Sequence, residues 1–461
     1  VDTVAGPGGR FSMLESIRHV AGDRRAEGTA SAAAFGAHDD HELALAGESW
    51  ALHRSGGGRT AAVARLRPER LEILAATARF VDAGRHCEAE RLAASAGWHW
   101  LLDGRIDDAR LICERVGEGR CSDLDVAARL ALTRSFLAYW RGDRGVEHRD
   151  DNHAYQLAMQ VGDCGRAGEA LSIGVGWDYR PGWFDDDRWA VAATLFDRAG
   201  DRLGAARATT KRGAYAVWEG RHEEARLLLT DAIGTFEPDG DAAGFAEAAT
   251  YLAWSARLTG DLARARELID RCLSLDVTLP MFVQNVILKE RAAIVHFEGD
   301  LDAALAAQRS LVRNLGETAP GTPTEMAARA TVSLHLRELG RLADATAELI
   351  ECCSAHLRSS GEGHRLLAPW LLELAAGLAA RQADAHLGAT LLAAADRARV
   401  EGDNRRPHWD DAEYERLREL VGEELGADDL LLAESAGTAM GVTDAVRTAI
   451  EGLTRITTAS R

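Results

Sequence analysis

At 461 residues and 49.7 kDa the chain is longer than one ordinary core, which leaves several domains or a repeat array. Ala, Leu, Arg, Glu and Asp dominate over aromatic and β-branched residues, a composition that favours helix. The formal net charge of −18, with no basic run beyond a few residues, argues against direct nucleic-acid binding, because neutralising phosphates takes clustered cations.

Lysine occurs only at Lys211 and Lys289, so arginine carries nearly all the positive charge, a pattern expected from GC-rich coding. Cys87, Cys113, Cys121, Cys164, Cys272, Cys352 and Cys353 form no CxxC pair, and most lie in apolar helical patterns where a free thiol packs as a small hydrophobe. A reducing cytoplasm fits this usage. There is no signal peptide and no apolar run near the roughly 20 residues that span a bilayer.

Along the chain, "GGRFSMLESIRHVA" (8–21) predicts a short strand, Arg10 to Leu14, leading into a helix from Glu15. "HDDHE" (38–42) places His38 and His41 three residues apart. A metal would need a third ligand from elsewhere, so a solvated acidic face is the expectation there, as it is for "RDDNH" (149–153). "AAVARLRPERLEILAATARF" (61–80) stands ahead of a series of repeats.

Six related units make up that series: "WHWLLDGRIDDAR", "LAYWRGDRGVEHR", "AVWEGRHEEAR", "SARLTGDLARAR", "VHFEGDLDAAL" and "LRELGRLADAT". They align on Gly104, Gly142, Gly220, Gly260, Gly299 and Gly340, each followed by Arg or Asp. Five residues on stands Ala109, Ala225, Ala265, Ala304 or Ala345, and only Glu147 breaks the rule. Seven residues before each glycine stands a small side chain: Gly97, Ser135, Gly213, Ala253, Ala292 or Ser333. Glycine ends one helix in a left-handed conformation, the next residue starts another, and the small residues mark where two antiparallel helices come closest. The period is 38 to 41 residues, with Gly182 near the middle of the double gap from Gly142 to Gly220. Gly162-Asp163, Gly200-Asp201 and Gly240-Asp241 form a second series at the same interval. Such periodicity predicts stacked helical hairpins, since one hairpin cannot bury its own apolar face.

"GWDYRPGWFDDDRW" (176–189) falls where the repeat markers degrade. Trp177, Tyr179, Arg180, Trp183 and Asp185 are candidate ligand-binding residues: aromatic faces would stack a ring or sugar while Arg180 or an aspartate fixes a polar group. The competing reading is a longer inter-helix loop with its aromatics tucked against the neighbouring repeat. Asp185, Asp186 and Asp187 do not share a helix face, and the position four residues after Asp185 is Trp189, so no metal site is expected. No GxSxG, no GxxxxGK[ST] and no helix-turn-helix with a basic recognition helix occur, and Cys352-Cys353 reads as core. The expectation is a protein that is not an enzyme and holds no cofactor. Trp98, Trp100, Trp140, Trp218 and Trp254 lie on the first helices, at spacings that more often mean core than groove.

The small/Gly/Ala pattern resembles the tetratricopeptide repeat (TPR), with a longer unit. In combination with 8–21, 61–80 and the C-terminal "LGATLLAAADRARVEGDNRRPHWDDAEYERLRELVGEELGADDLLLAESAGTAMGVTDAVRTAI" (387–450), it resembles the TPR-repeat C-terminal region of actinobacterial STAND-type NTPase transcriptional regulators, large LuxR-like and SARP-like proteins. Those often carry His-Asp-Asn where Arg67-Pro68-Glu69 stands here. The resemblance implies an all-α, right-handed superhelix of about eight TPR-like hairpins whose first helices line the inner surface. It divides the chain into a winged-helix remnant and junction helices (1–50), a repeat array (51–400) and C-terminal capping helices (401–461). It implies a non-catalytic sensory scaffold that binds a protein partner or small-molecule effector on its concave face. That binding would control an ATPase and DNA-binding output outside this chain, with no direct nucleic-acid or membrane contact. The opening "VDTVAGPGG" reads like the interior of a domain, which suggests a piece of a larger protein with the NTPase upstream. A free-standing TPR adaptor is the alternative, and a small-molecule enzyme around Trp177–Trp189 a distant third.

Overall fold

The computed structural model describes residues 2–4, 10–12, 29–52, 58–117, 119–172, 186–359, 362–402, 406–407 and 410–459. Two three-residue strands, Asp2–Val4 and Arg10–Ser12, pair antiparallel with Thr3 opposite Phe11. The helix expected from Glu15 lies outside the described residues. Everything else described is helical or connecting.

Eight hairpins run from His86 to Gly402, beginning with His86–Leu102 and Ile106–Val116 and ending with Glu362–Arg381 and Ala385–Gly402. Within a hairpin the two helices pack antiparallel, and each first helix also touches the first helix of a neighbouring hairpin, which makes the stack a superhelix. Helices Asp411–Glu424, Ala427–Ala439 and Val442–Ala459 close the C-terminal end against the last hairpins.

The marker glycines do what their spacing requires. Gly220 has φ +74°, its N–H donates to Val217 O at 3.0 Å, and the Arg221 N–H donates to Ala216 O at 2.8 Å. These paired bonds satisfy the last carbonyls of helix Arg202–Trp218 and reverse the chain. Where aspartate follows the glycine it also caps the next helix: Asp261 Oδ1 accepts from the Arg264 N–H at 3.0 Å and Asp241 Oδ1 from Gly244 N–H at 2.9 Å. In the eighth hairpin the same turn is made by Ala383, at φ +65°.

Close approach explains the small residues. Ala109, Ala225, Ala265, Ala304 and Ala345 are all fully buried. A Cβ on Gly213 would stand 2.6 Å from Leu229 Cγ, and one on Gly97 2.9 Å from Thr133 Cγ2. A larger side chain at either place would force the helices apart, at a cost of about 1–3 kcal/mol.

Successive coils of the superhelix touch. Trp140, in helix Leu124–Arg141, meets Phe282, in helix Met281–Phe297, edge to face with 5.9 Å between centroids. Gly104 lies so close to Met281 and Thr318 that a Cβ there would stand 2.8 Å from Met281 Cγ. First helices from distant hairpins therefore contact one another, and several are buried around most of their circumference.

Cys87 and Cys121 are joined by a disulfide, which departs from the reading that the cysteine usage fits a reducing compartment. The other five cysteines are free, and all but Cys164 are buried. No helix among the described residues is long and apolar enough to cross a membrane.

Candidate functional site on the inner wall

The two lysines converge on one wall. Lys211 lies on helix Arg202–Trp218 and Lys289 on helix Met281–Phe297, both first helices of hairpins. Lys211 Nζ is 5.3 Å from the Phe282 ring centroid and 6.0 Å from that of Tyr251. Lys289 Nζ is 5.9 Å from the centroid of Trp254, which lies 6.4 Å from Tyr251. Lys211, Tyr251, Trp254, Phe282 and Lys289 thus form one connected cluster of cations on aromatic faces. Lys211, Trp254, Phe282 and Lys289 are half-buried, whereas Tyr251 is buried.

Acids and arginines interleave with this cluster. Lys211 Nζ donates to Glu247 Oε1 at 2.5 Å, Arg207 Nη2 to Asp241 Oδ2 at 2.5 Å, and Arg257 Nε to Glu290 Oε1 at 2.7 Å. Desolvation pushes the Lys289 ammonium well below its ordinary value, although neighbouring Glu290 acts the other way. Arg59, at the start of helix Gly58–Leu66, reaches the same region: burial and the charge of Arg207 bring its guanidinium down to about 10 against the pull of Asp241, Glu169 and Glu247. Burial disfavours the charged forms of Lys289 and Arg59, and an anion placed beside them would favour those forms.

A cleft of about 450 Å³ opens where the first hairpin meets the sixth, lined by Arg67, Asp103, Arg105, Met281, Gln284 and Thr318. Its charges are mutually paired: Arg67 Nε donates to Asp103 Oδ2 at 3.0 Å and Arg70 Nη1 to Asp108 Oδ1 at 2.7 Å. Arg67, the departure from His-Asp-Asn, thereby ties the lead-in to the first repeat turn.

The candidate residues Trp177, Tyr179, Arg180, Trp183 and Asp185 lie outside the described residues. The end of that stretch is described and is structural. Trp189 is 1% exposed with its ring 5.6 Å from Tyr215, and Arg188 donates to Leu171 O and Ala170 O, each at 3.0 Å. Arg188 Nη2 also donates to Asp151 Oδ2 at 2.7 Å, and Ser135 Oγ donates to Asp151 Oδ1. Asp151 and Glu147 are both buried, so "RDDNH" is not a solvated face throughout. Burial drives the Asp151 carboxyl up to about 7, with Glu147 adding to the rise and Arg188 opposing it. Glu147 is the residue that breaks the alanine rule, and the break coincides with this buried acid network. "HDDHE" is likewise not a solvated face throughout, since Asp39, which accepts from Arg79 Nε at 2.9 Å, and Glu42 are buried. His38 is partly exposed, its Nε2 3.3 Å from Glu72 Oε2, and His41 joins no metal-sized cluster among the described residues.

Of the repeat tryptophans, Trp98, Trp100 and Trp140 are core, while Trp218 and Trp254 stay half-buried. Sequence reasoning treated the two lysines as residue bias. Their restriction to first helices, in a chain that otherwise uses arginine, was the available signal.

No protein-family model matches the sequence, and no curated protein matches it either. Among solved structures the chain is similar to a Rap protein complexed with Competence and Sporulation Factor, at 10% identity and a TM-score of 0.47, over 81% of this chain and 100% of that one. It is also similar to a circular tandem repeat protein with novel repeat topology, at 14% identity and a TM-score of 0.16, over 92% of this chain and 97% of that one. Both likenesses are of helical-repeat architecture alone. By its own helices and turns the chain is an all-α superhelix of TPR-like hairpins.

Proposed function

We propose that the chain is a non-catalytic recognition scaffold that binds a peptide or protein segment along the inner wall of its superhelix. One observation carries the reading: both lysines of an otherwise arginine-based chain stand over aromatic rings in one cluster, on the first helices of the fourth and sixth hairpins. The chemistry suits a segment with carboxylates beside apolar side chains. The carboxylates would offset the desolvation of Lys289, and the apolar groups would cover the half-buried Trp254 ring.

The finer reading rests on the resemblance of 8–21, 61–80 and 387–450 to STAND-type regulators. In it, occupancy of the wall sets the state of an ATPase and DNA-binding output outside this chain, which requires a ligand that prefers one state. A free-standing adaptor would use the same wall with no such output.

The test is selection from a displayed random-peptide library, with the purified chain and its K211Q/K289Q variant as parallel baits. The proposal predicts acidic peptides with aromatic or aliphatic neighbours, enriched on the unaltered chain and lost on the variant. Equal enrichment on both would refute it.

A further inference from the structure

A group of ligating side chains lies further along the array, at the ends of two first helices. His296 is the penultimate residue of helix Met281–Phe297, while His335 and Glu338 are one turn apart at the end of helix Pro323–Glu338. His296 Nδ1 is 3.1 Å from His335 Nδ1 and 3.3 Å from Glu338 Oε2, and one ligand atom from each residue falls within 4.8 Å of the others.

These separations have a geometric meaning. Four ligands at about 2.0–2.1 Å in a tetrahedron around zinc lie roughly 3.3 Å apart along each edge. The two separations from His296 are close to that edge, and the third, between His335 and Glu338, is at most 4.8 Å. Two imidazole nitrogens facing each other at this distance form a hydrogen bond only if one of them carries a proton; a cation bound by both would displace that proton and sit off the line between them, about 2.0–2.1 Å from each. His335 is buried, His296 is partly exposed and Glu338 is exposed, so the group is rooted in the core and open on one side to solvent. Two imidazoles and one carboxylate suit zinc and its first-row neighbours, whereas magnesium and calcium take oxygen ligands.

We propose that His296, His335 and Glu338 form a binding site for a zinc-class divalent cation, held by three protein ligands with a fourth position open, which clamps the sixth hairpin to the seventh. The site shares no residue with the recognition wall, although His296 lies on the same helix as Phe282 and Lys289. The bound cation would fix the angle between two neighbouring repeats, and its open position would accept water or a further donor.

The test uses the full chain, freed of metal by chelator dialysis and titrated with Co²⁺ while its visible ligand-field bands are followed, then with Zn²⁺ in competition. The expected result is one equivalent of Co²⁺ with the intense bands of a four-coordinate ion, displaced by Zn²⁺. H296Q and E338Q, which change partly exposed side chains and are checked for fold by circular dichroism, should each weaken binding at least about tenfold. H38Q, at a histidine remote in sequence, should leave it unchanged. Zn²⁺ should raise the melting temperature of the unaltered chain more than that of H296Q. Absence of stoichiometric Co²⁺ binding, or binding that H296Q and E338Q leave intact, would overturn the proposal.

Discussion

Lys211 lies 5.3 Å from the ring centroid of Phe282, two hairpins further along the chain. The contact joins the fourth hairpin to the sixth over the intervening Tyr251 and Glu247, so the inner wall is a continuous surface and not a set of separate repeat faces. A ligand on this wall would contact at least three hairpins at once. Its binding would therefore report on the curvature of the array.

The turn at Ala383 is the clearest point of stored strain. Every other positive-φ residue described is glycine, and Ala383 repeats the Gly220 geometry, with Asp384 N–H donating to Ala379 O at 3.0 Å. Ala383→Gly should stabilise the chain by about 1 kcal/mol, because an L side chain in the left-handed region costs about that much. Urea unfolding of the two proteins side by side measures it, and a less stable variant would show that the alanine methyl makes a compensating contact.

The buried network around Asp151 gives a second expectation. Arg188→Ala removes the guanidinium that donates to Asp151 Oδ2 at 2.7 Å and leaves a buried carboxyl without that charge. Destabilisation of about 3 kcal/mol is expected, and Asp151→Asn in the same background should recover part of it. A double-mutant cycle in thermal or chemical unfolding separates this coupling from simple loss of packing.

Much of this architecture was legible in the sequence, and the reason is local. A left-handed glycine, an aspartate cap and a buried alanine each act within one hairpin, so their spacing survives as a pattern. Glu147 was legible as an exception before its burial was known. The inner wall was not legible, because Trp140 against Phe282 and Lys211 against Phe282 depend on how tightly the coils close. His296 and His335 escaped for a related reason: they stand three and five residues before their repeat glycines, Gly299 and Gly340, and share no repeat position. Cys87 and Cys121 likewise belong to no short motif, and only the folding of the first hairpin brings them together.

The Cys87–Cys121 disulfide closes a separation of 34 residues. Loop-closure entropy for a span of that size is worth about 3–4 kcal/mol in the chain-entropy model, so reduction should lower unfolding stability by up to that amount. Denaturation with and without reductant, with free thiols counted by a chromogenic reagent, measures both the bond and its contribution. Five free thiols before reduction and seven after are expected from the sequence and the bond.

His99 predicts a loss of stability in acid. Burial brings its imidazole down to about 4 from 6.5, and its Nδ1 donates to Ser95 O at 2.6 Å in the neutral form. Between pH 6.5 and 4 the unfolded chain takes up a proton that the folded chain refuses, so stability present above pH 6.5 falls as the pH drops towards 4. The full effect is about 3 kcal/mol. Asp151 acts in the opposite sense: raised to about 7, it keeps a proton that the unfolded chain releases near pH 4, and it adds stability that is lost as the pH rises towards 7. Comparing the pH slope of His99→Asn with that of the unaltered chain isolates the histidine. Identical slopes would contradict its assignment as a buried neutral group.

The recognition wall can be tested directly because the chain has only two lysines. A peptide recovered from the library selection is added to the protein, amines are labelled at increasing reagent concentration, and the fragments carrying Lys211 and Lys289 are quantified by mass spectrometry. Binding on the inner wall predicts that the peptide slows labelling of both lysines several-fold, and that K211Q/K289Q weakens the peptide's affinity. Saturating peptide that leaves both labelling rates unchanged would place its site elsewhere and contradict a recognition role for the inner wall.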